Sequence, residues 1–75
     1  MFKVHVEYRW REDDTDRGLN EAARLFHRAK SLLREWGAAD HFVNAYLNEQ
    51  DDLQGVMVLV LRDRNAALLL KLALA

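Results

Sequence analysis

Seventy-five residues make one small domain, spanning 1–75; a chain of this size buries only roughly 60–65% of its unfolded surface and leaves little room for a deep enclosed pocket. The composition is 51% hydrophobic and 31% charged, which excludes disorder, and the lack of cysteine excludes disulfides and thiolate metal sites. A net charge of −1 provides no bulk attraction to nucleic acid or to a membrane surface.

The N-terminal segment alternates. Phe2, Val4, Val6, Tyr8 and Trp10 share one side, and Lys3, His5, Glu7, Arg9 and Arg11 the other. Period two over this length predicts a half-buried strand at about 2–11. A polar loop follows over 12–18. The period then changes: Leu19, Ala22, Ala23, Leu25, Phe26, Ala29, Leu32, Leu33 and Trp36 cover about half of a helical wheel, which predicts a helix over 19–36. Gly18 with Glu21 three residues on resembles a capping box, and Gly37 stands where a left-handed C-cap is expected. Trp36 and Phe26 read as core.

Residues 41–48 alternate again, with Val43, Ala45 and Leu47 on one face and Phe42, Asn44 and Tyr46 on the other. A hairpin loop at 48–52 leads into a third strand at about 53–62, whose unbroken apolar run Val56–Leu61 suits a central strand covered on both faces. In the tail, Asp63 is a fair N-cap and Ala and Leu favour helix, yet Leu70, Leu72 and Leu74 alternate with Lys71 and Ala73. The reading is a short helix over about 64–70 and then a short final strand; one continuous helix is the alternative.

The order β-α-β-β-α(-β) predicts a ferredoxin-like α+β two-layer sandwich. Its sheet is antiparallel with helices on one face, the third strand lies between the second and the first, and a fourth strand pairs with the first. The open sheet face then carries Lys3, His5, Arg9, Arg11 and Tyr46 beside an apolar stripe of the third strand. Such a stripe marks an interface with a partner or a second copy, unless flanking side chains fold over it.

No catalytic or cofactor signature stands out, and the chain reads as a non-enzyme that needs no cofactor or metal. His27, Ser31 and Glu35 line one helix face at triad-like spacing, but an exposed helix offers neither oxyanion donors nor a cleft. The acidic loop fails the calcium-loop pattern: with Gly18 at its sixth position, Arg17 and Arg24 occupy ligand places. An RNA-binding sheet needs exposed stacking rings, whereas Tyr8 and Trp10 point to the core, so direct nucleic-acid binding is not expected. No segment is long and apolar enough to span a membrane, and the N-terminus is no signal peptide, which reads as a soluble, cytoplasmic protein.

The charge layout is more informative. The topology brings Glu12, Asp13, Asp14 and Asp16 beside Glu49, Asp51 and Asp52. Seven carboxylates thus gather at one pole, relieved by Arg11 and Arg17, while the remaining five stand against all 11 Lys and Arg. This pole reads as a docking surface for a basic protein partner, such as a nucleic-acid-binding groove. The alternative is nucleic-acid binding through the basic face of α1, Arg24, Arg28, Lys30 and Arg34, with Arg9 and Arg11.

Two short stretches resemble known families. Leu53-Gln54-Gly55-Val56 resembles the Val-Gln-Gly-Val loop of acylphosphatases, but it opens the third strand here rather than following the first, and no Arg follows at the needed spacing. The ending Ala66-Ala67-Leu68-Leu69-Leu70-Lys71-Leu72 resembles the C-termini of small phage-encoded accessory proteins, in which a Phe-Lys-Leu run precedes an aromatic strand. Leu72-Ala73-Leu74 replaces that strand here. The resemblance implies an accessory or inhibitor role of the anti-CRISPR kind. A de novo designed α+β protein without natural function also fits the absence of Pro and Cys, though less well the irregular acidic loop.

Overall fold

The computed structural model describes residues 1–74. In chain order they form β1 (Phe2–Arg9), α1 (Leu19–Glu35), a 3-10 turn (Ala39–His41), β2 (Phe42–Asp51), β3 (Gln54–Leu61) and α2 (Arg64–Leu74). The strands make an antiparallel three-stranded sheet in the order β1-β3-β2. Both helices contribute to the core on one face, giving a two-layer α+β fold. Val4, Val6, Tyr8 and Trp10 of the first strand segment, with Met57, Leu59 and Leu61 of β3, pack against Ala22, Ala29 and Leu33 of α1 and Ala66, Ala67 and Leu70 of α2.

Strand β3 is central, as its composition requires. Its other face carries Val56, Val58 and Val60. His5 and Tyr46 flank Val58 in the ladder, and Glu7 and Asn48 flank Val56. Val56 and Val58 are 5% and 1% exposed. The centre of this apolar stripe, flanked on both sides by strand neighbours, is therefore buried rather than open, while Val60 is half-buried.

The tail differs from the alternating reading. Helix α2 continues through Leu74, and no fourth strand forms among the described residues. Ala66, Ala67, Leu70 and Leu74 meet the core at helical spacing, and Asp63 Oδ2 accepts the Ala66 N–H at 2.8 Å as an N-cap. High helix propensity and a cap outweigh three alternating leucines. The leucine run thus leads into no strand, where the phage proteins it resembles continue with one. The last residue of the expected strand, Ala75, lies outside the described residues.

Strand β2 departs from simple alternation in a second way. A register shift between Phe42 and Asn44 turns Phe42 to the helix face, opposite Leu61. There it meets the ring of Phe26 edge-on at 5.9 Å, with Lys30 Nζ 4.1 Å from its ring centre. One extra residue in a strand reverses the side to which everything before it points. β2 also runs on to Asp51, leaving a tighter hairpin than the one expected at 48–52.

The ends of α1 are set by loop chemistry. Gly18 is the N-cap with φ 81° and has no capping side chain. Asp16 caps instead, its two oxygens accepting the N–H groups of Gly18 and Asn20 at 3.1 Å each. Glu21 pairs with Arg24 at 2.7 Å rather than closing a capping box. At the other end Gly37 N donates to Arg34 O and Ala38 N to Leu33 O, the paired bonds of a Schellman cap. Trp36 is the C-cap, beyond the last helical residue Glu35, and is 38% exposed rather than core.

Candidate functional site

The loop after β1 and the β2–β3 hairpin meet at one end of a molecule of 39 × 20 × 19 Å. Trp10 N donates to Leu53 O at 3.1 Å, which holds the loop to the hairpin. Arg17 Nη2 contacts Glu49 Oε2 at 3.1 Å and ties the two segments a second time. Glu12, Asp14, Arg17 and Asp52 then line one shallow hollow with Trp10 and Leu53. Asp51 and Asp52 share a neighbouring hollow with Arg9. The seven carboxylates that the sequence places at this pole are thus brought to one end.

They do not all have the same role. Asp14 Oδ2 accepts the Arg11 N–H at 3.0 Å, Asp16 caps α1, and Asp51 Oδ1 accepts the Leu53 N–H at 2.9 Å inside the hairpin. Glu49 is engaged with Arg17. These four carboxylates shape the two loops. Glu12, Asp13 and Asp52 are exposed and make no hydrogen bond or ion pair among the described residues. No three His, Asp or Glu side chains among the described residues come together in a way that could hold a metal ion.

The sheet-face residues are more scattered. Lys3, His5 and Arg9 lie exposed on the outer face of β1 and Tyr46 on that of β2, separated by β3. Arg11 lies beyond the strand, in the loop. His27, Ser31 and Glu35 are all exposed on α1.

One feature was not foreseen. Helix α1 does not close over β2. Between them runs an apolar groove of about 300 Å³, lined by Leu19, Ala22, Ala23, Phe26, Ala45, Tyr46, Leu47 and Met57. Leu19 and Leu47 also line the hollow that holds Asp16, Arg17 and Glu49, so the groove opens directly onto the acidic end. The signal in the sequence is the breadth of the apolar arc on α1: Leu19 and Ala23 extend it beyond what a three-stranded sheet can cover.

Burial raises the pKa of the Tyr8 phenol, and the nearby Glu49 carboxylate adds to the effect. On α1 the Glu21 carboxylate raises that of the Arg24 guanidinium through their hydrogen bonds. No helix among the described residues is long and apolar enough to cross a membrane.

No protein-family model matches the chain, and comparison with curated proteins and with solved structures finds no match for it either.

Proposed function

We propose that the protein is a non-enzymatic interaction module that docks its acidic end on a basic surface of a protein partner, and that it acts by occupying that surface. The observation that carries the reading is the set Glu12, Asp13 and Asp52. These three exposed carboxylates come from two separate segments, Glu12 and Asp52 line one hollow, and none of the three is consumed by the fold. The adjoining apolar groove adds a contact that desolvates, so charge steers the encounter and apolar burial holds it. A nucleic-acid-binding groove of a host protein is the kind of surface that fits, in keeping with the inhibitor role that the phage-like ending implies. On this reading the scaffold is a ferredoxin-like sandwich whose fourth strand is missing.

The alternative is a nucleic-acid-binding domain. Arg28 and Arg34 on α1 are exposed and lie away from the acidic end. One experiment separates the two. The chain and its Glu12→Gln/Asp13→Asn/Asp52→Asn variant are used side by side to capture proteins from lysate, and both are titrated with plain duplex and single-stranded nucleic acid. A protein retained by the first and lost by the second supports the docking reading. Salt-dependent affinity for bare nucleic acid at physiological ionic strength, unchanged by the variant, overturns it.

A further inference from the structure

We propose that two copies of the chain pair β2 with β2, antiparallel about a two-fold axis at Tyr46. Leu47 of each copy then fills the apolar groove of the other beside Ala45, and Glu49 of each meets Lys30 of the other. Two three-stranded sheets join into one of six strands.

The backbone makes this edge available. Trp10 N donates to Leu53 O, so the odd-numbered residues of β3 exchange hydrogen bonds with β1. Antiparallel ladders alternate, so Val56, Val58 and Val60 exchange theirs with Asn48, Tyr46 and Asn44. Ala45, Leu47 and Glu49 turn their backbone groups to the open edge. The run Asn44–Glu49 lies between the two register shifts and is itself regular. The side chains of Ala45 and Leu47 point to the helix layer, where they line the groove. A strand added here therefore satisfies the edge and fills the groove at once.

The helices leave room for it. Gly18 abuts Tyr8 and Trp10 of the first strand segment, whereas Phe26 meets Phe42 at the start of β2. Helix α1 thus crosses the sheet diagonally. It covers the start of β2 and leaves the stretch from Ala45 to Glu49 open. The two-fold sets the open half of each β2 beside the covered half of the other. Helix α2 packs on β1, at the opposite edge of the sheet, and stays clear of the join.

Charge and volume choose the occupant and the register. Phe42, Ala45, Leu47 and Glu49 lie opposite Leu61, Leu59, Met57 and Gly55, evenly spaced along the helix side of β2. With Leu47 opposite Ala45 of the second copy, Glu49 falls opposite Phe42 of the second copy. Lys30 Nζ stands 4.1 Å from the centre of that ring in each copy and has no carboxylate partner among the described residues. The pairing therefore brings a lysine to each Glu49. One step along, Glu49 would enter the groove opposite Ala45. One step the other way, Ala45 would face Ala45 and leave the alanine-lined hollow empty. On the outer face Tyr46 lies opposite Tyr46 and Asn44 opposite Asn48, with no like charges opposed.

The edge is guarded at one point. Asn44 Oδ1 accepts the Ala45 N–H at 2.9 Å, the donor that the Leu47 carbonyl of the second copy takes in the pairing. The exposed Asn44 side chain must turn away as the dimer forms, which sets a cost on pairing. Because the dimer covers the groove, a partner that uses the groove meets the chain as a monomer.

The inference does not depend on the docking partner, and its test uses the chain alone. Light scattering and sedimentation over a range of concentrations should show a monomer–dimer equilibrium. Lys30→Glu or Glu49→Lys should each weaken the dimer roughly tenfold, since two pairs between copies change from attraction to repulsion. An equimolar mixture of the two variants, and the double variant, should both recover it. Asn44→Val, which removes the guard at an exposed position, should tighten it. The amides of Leu47 and Glu49 should gain protection from exchange as the dimer forms. A chain that stays monomeric at high concentration overturns the proposal. So does a dimer that ignores both charge reversals, or single variants whose mixture fails to recover.

Discussion

Gly55 leaves the space that the ring of Tyr8 fills: a Cβ on Gly55 would lie 2.6 Å from both Cζ and the hydroxyl oxygen of Tyr8. The two residues face each other across the β1–β3 ladder. A glycine inside a strand costs conformational entropy and marks a close approach. Here the Gln-Gly-Val stretch that resembles an acylphosphatase loop has a packing role, admitting an aromatic ring to the core. Gly18 does the same on the other side of that cluster, where a Cβ would lie 2.6 Å from Trp10 Cε3 and 3.0 Å from Tyr8 Cε2. The rings of Tyr8 and Trp10, 5.8 Å apart, thus sit against two glycines at the acidic end.

Replacing these glycines separates strain from space. Gly18 and Gly37 both have positive φ, at 81° and 70°, but nothing lies within 4 Å of a Cβ on Gly37. Gly37→Ala should lose only the backbone term, about 1–2 kcal/mol. Gly18→Ala should lose that and about 1–3 kcal/mol more for displacing two packed rings. Gly55→Ala should show the crowding alone. Urea unfolding of the three variants should rank Gly18→Ala as the least stable; equal losses at Gly18 and Gly37 would show that the Tyr8–Trp10 cluster yields freely.

The two aspartate caps make a second test. Asp16 holds the Gly18 and Asn20 N–H groups, and Asp63 holds that of Ala66. Alanine at either position should cost about 1 kcal/mol, and asparagine much less, because its amide oxygen accepts the same bonds. Thermal unfolding followed by circular dichroism measures both. Equal loss for Asp16→Asn and Asp16→Ala would mean that charge near the helix terminus, not the cap geometry, carries the effect.

Much of the fold was legible because its signals are local. The alternation of Val4, Val6 and Tyr8, the half-wheel of α1 and the Gly37 cap each follow from a few neighbouring residues. What was not legible depends on tertiary competition. Phe42 changes sides because of a one-residue bulge, which no periodicity within eight residues reveals. The Leu70–Leu74 alternation is compatible with strand and helix, and Asp63 and the alanine pair decide between them. Val56 and Val58 read as an open stripe of a one-sided sheet, yet both are buried between the flanking strands. The acidic end was legible because topology alone brings its two loops together, whereas the Arg17–Glu49 pair and the apolar groove depend on how side chains of separate elements meet.

Tyr8 should give the chain an alkaline sensitivity. Burial, then the Glu49 carboxylate, raises the folded-state pKa of its phenol above the ordinary value of 10.0. Above about pH 10 the unfolded chain releases this proton while the folded chain retains it. The unfolded state then binds fewer protons, and stability falls as pH rises. The contribution is complete below the ordinary value and is lost on passing through the raised one. Unfolding midpoints measured across this range should fall more steeply for the wild type than for Tyr8→Phe. Parallel curves for the two chains would show that the phenol ionises as freely in the fold as in the unfolded chain.

The acidic end divides into carboxylates that fold the loops and carboxylates that do not, and the two sets should behave differently. Asp13→Asn/Asp52→Asn should leave the unfolding midpoint nearly unchanged, since exposed charges without a partner contribute about 0–1 kcal/mol. On a partner with a basic surface the same pair should slow association, leave dissociation almost unaltered, and matter less as salt rises. Leu19→Ser/Leu47→Ser, at the mouth of the groove, should act on the opposite step: exposed leucines at 57% and 40% add little to folding, but their loss should speed dissociation from a partner that buries them. Arg28→Gln/Arg34→Gln should alter neither rate. Surface plasmon resonance over a series of salt concentrations reads all three variants. Loss of binding in the arginine variant with none in the aspartate variant would move the contact from the acidic end to the outer face of α1.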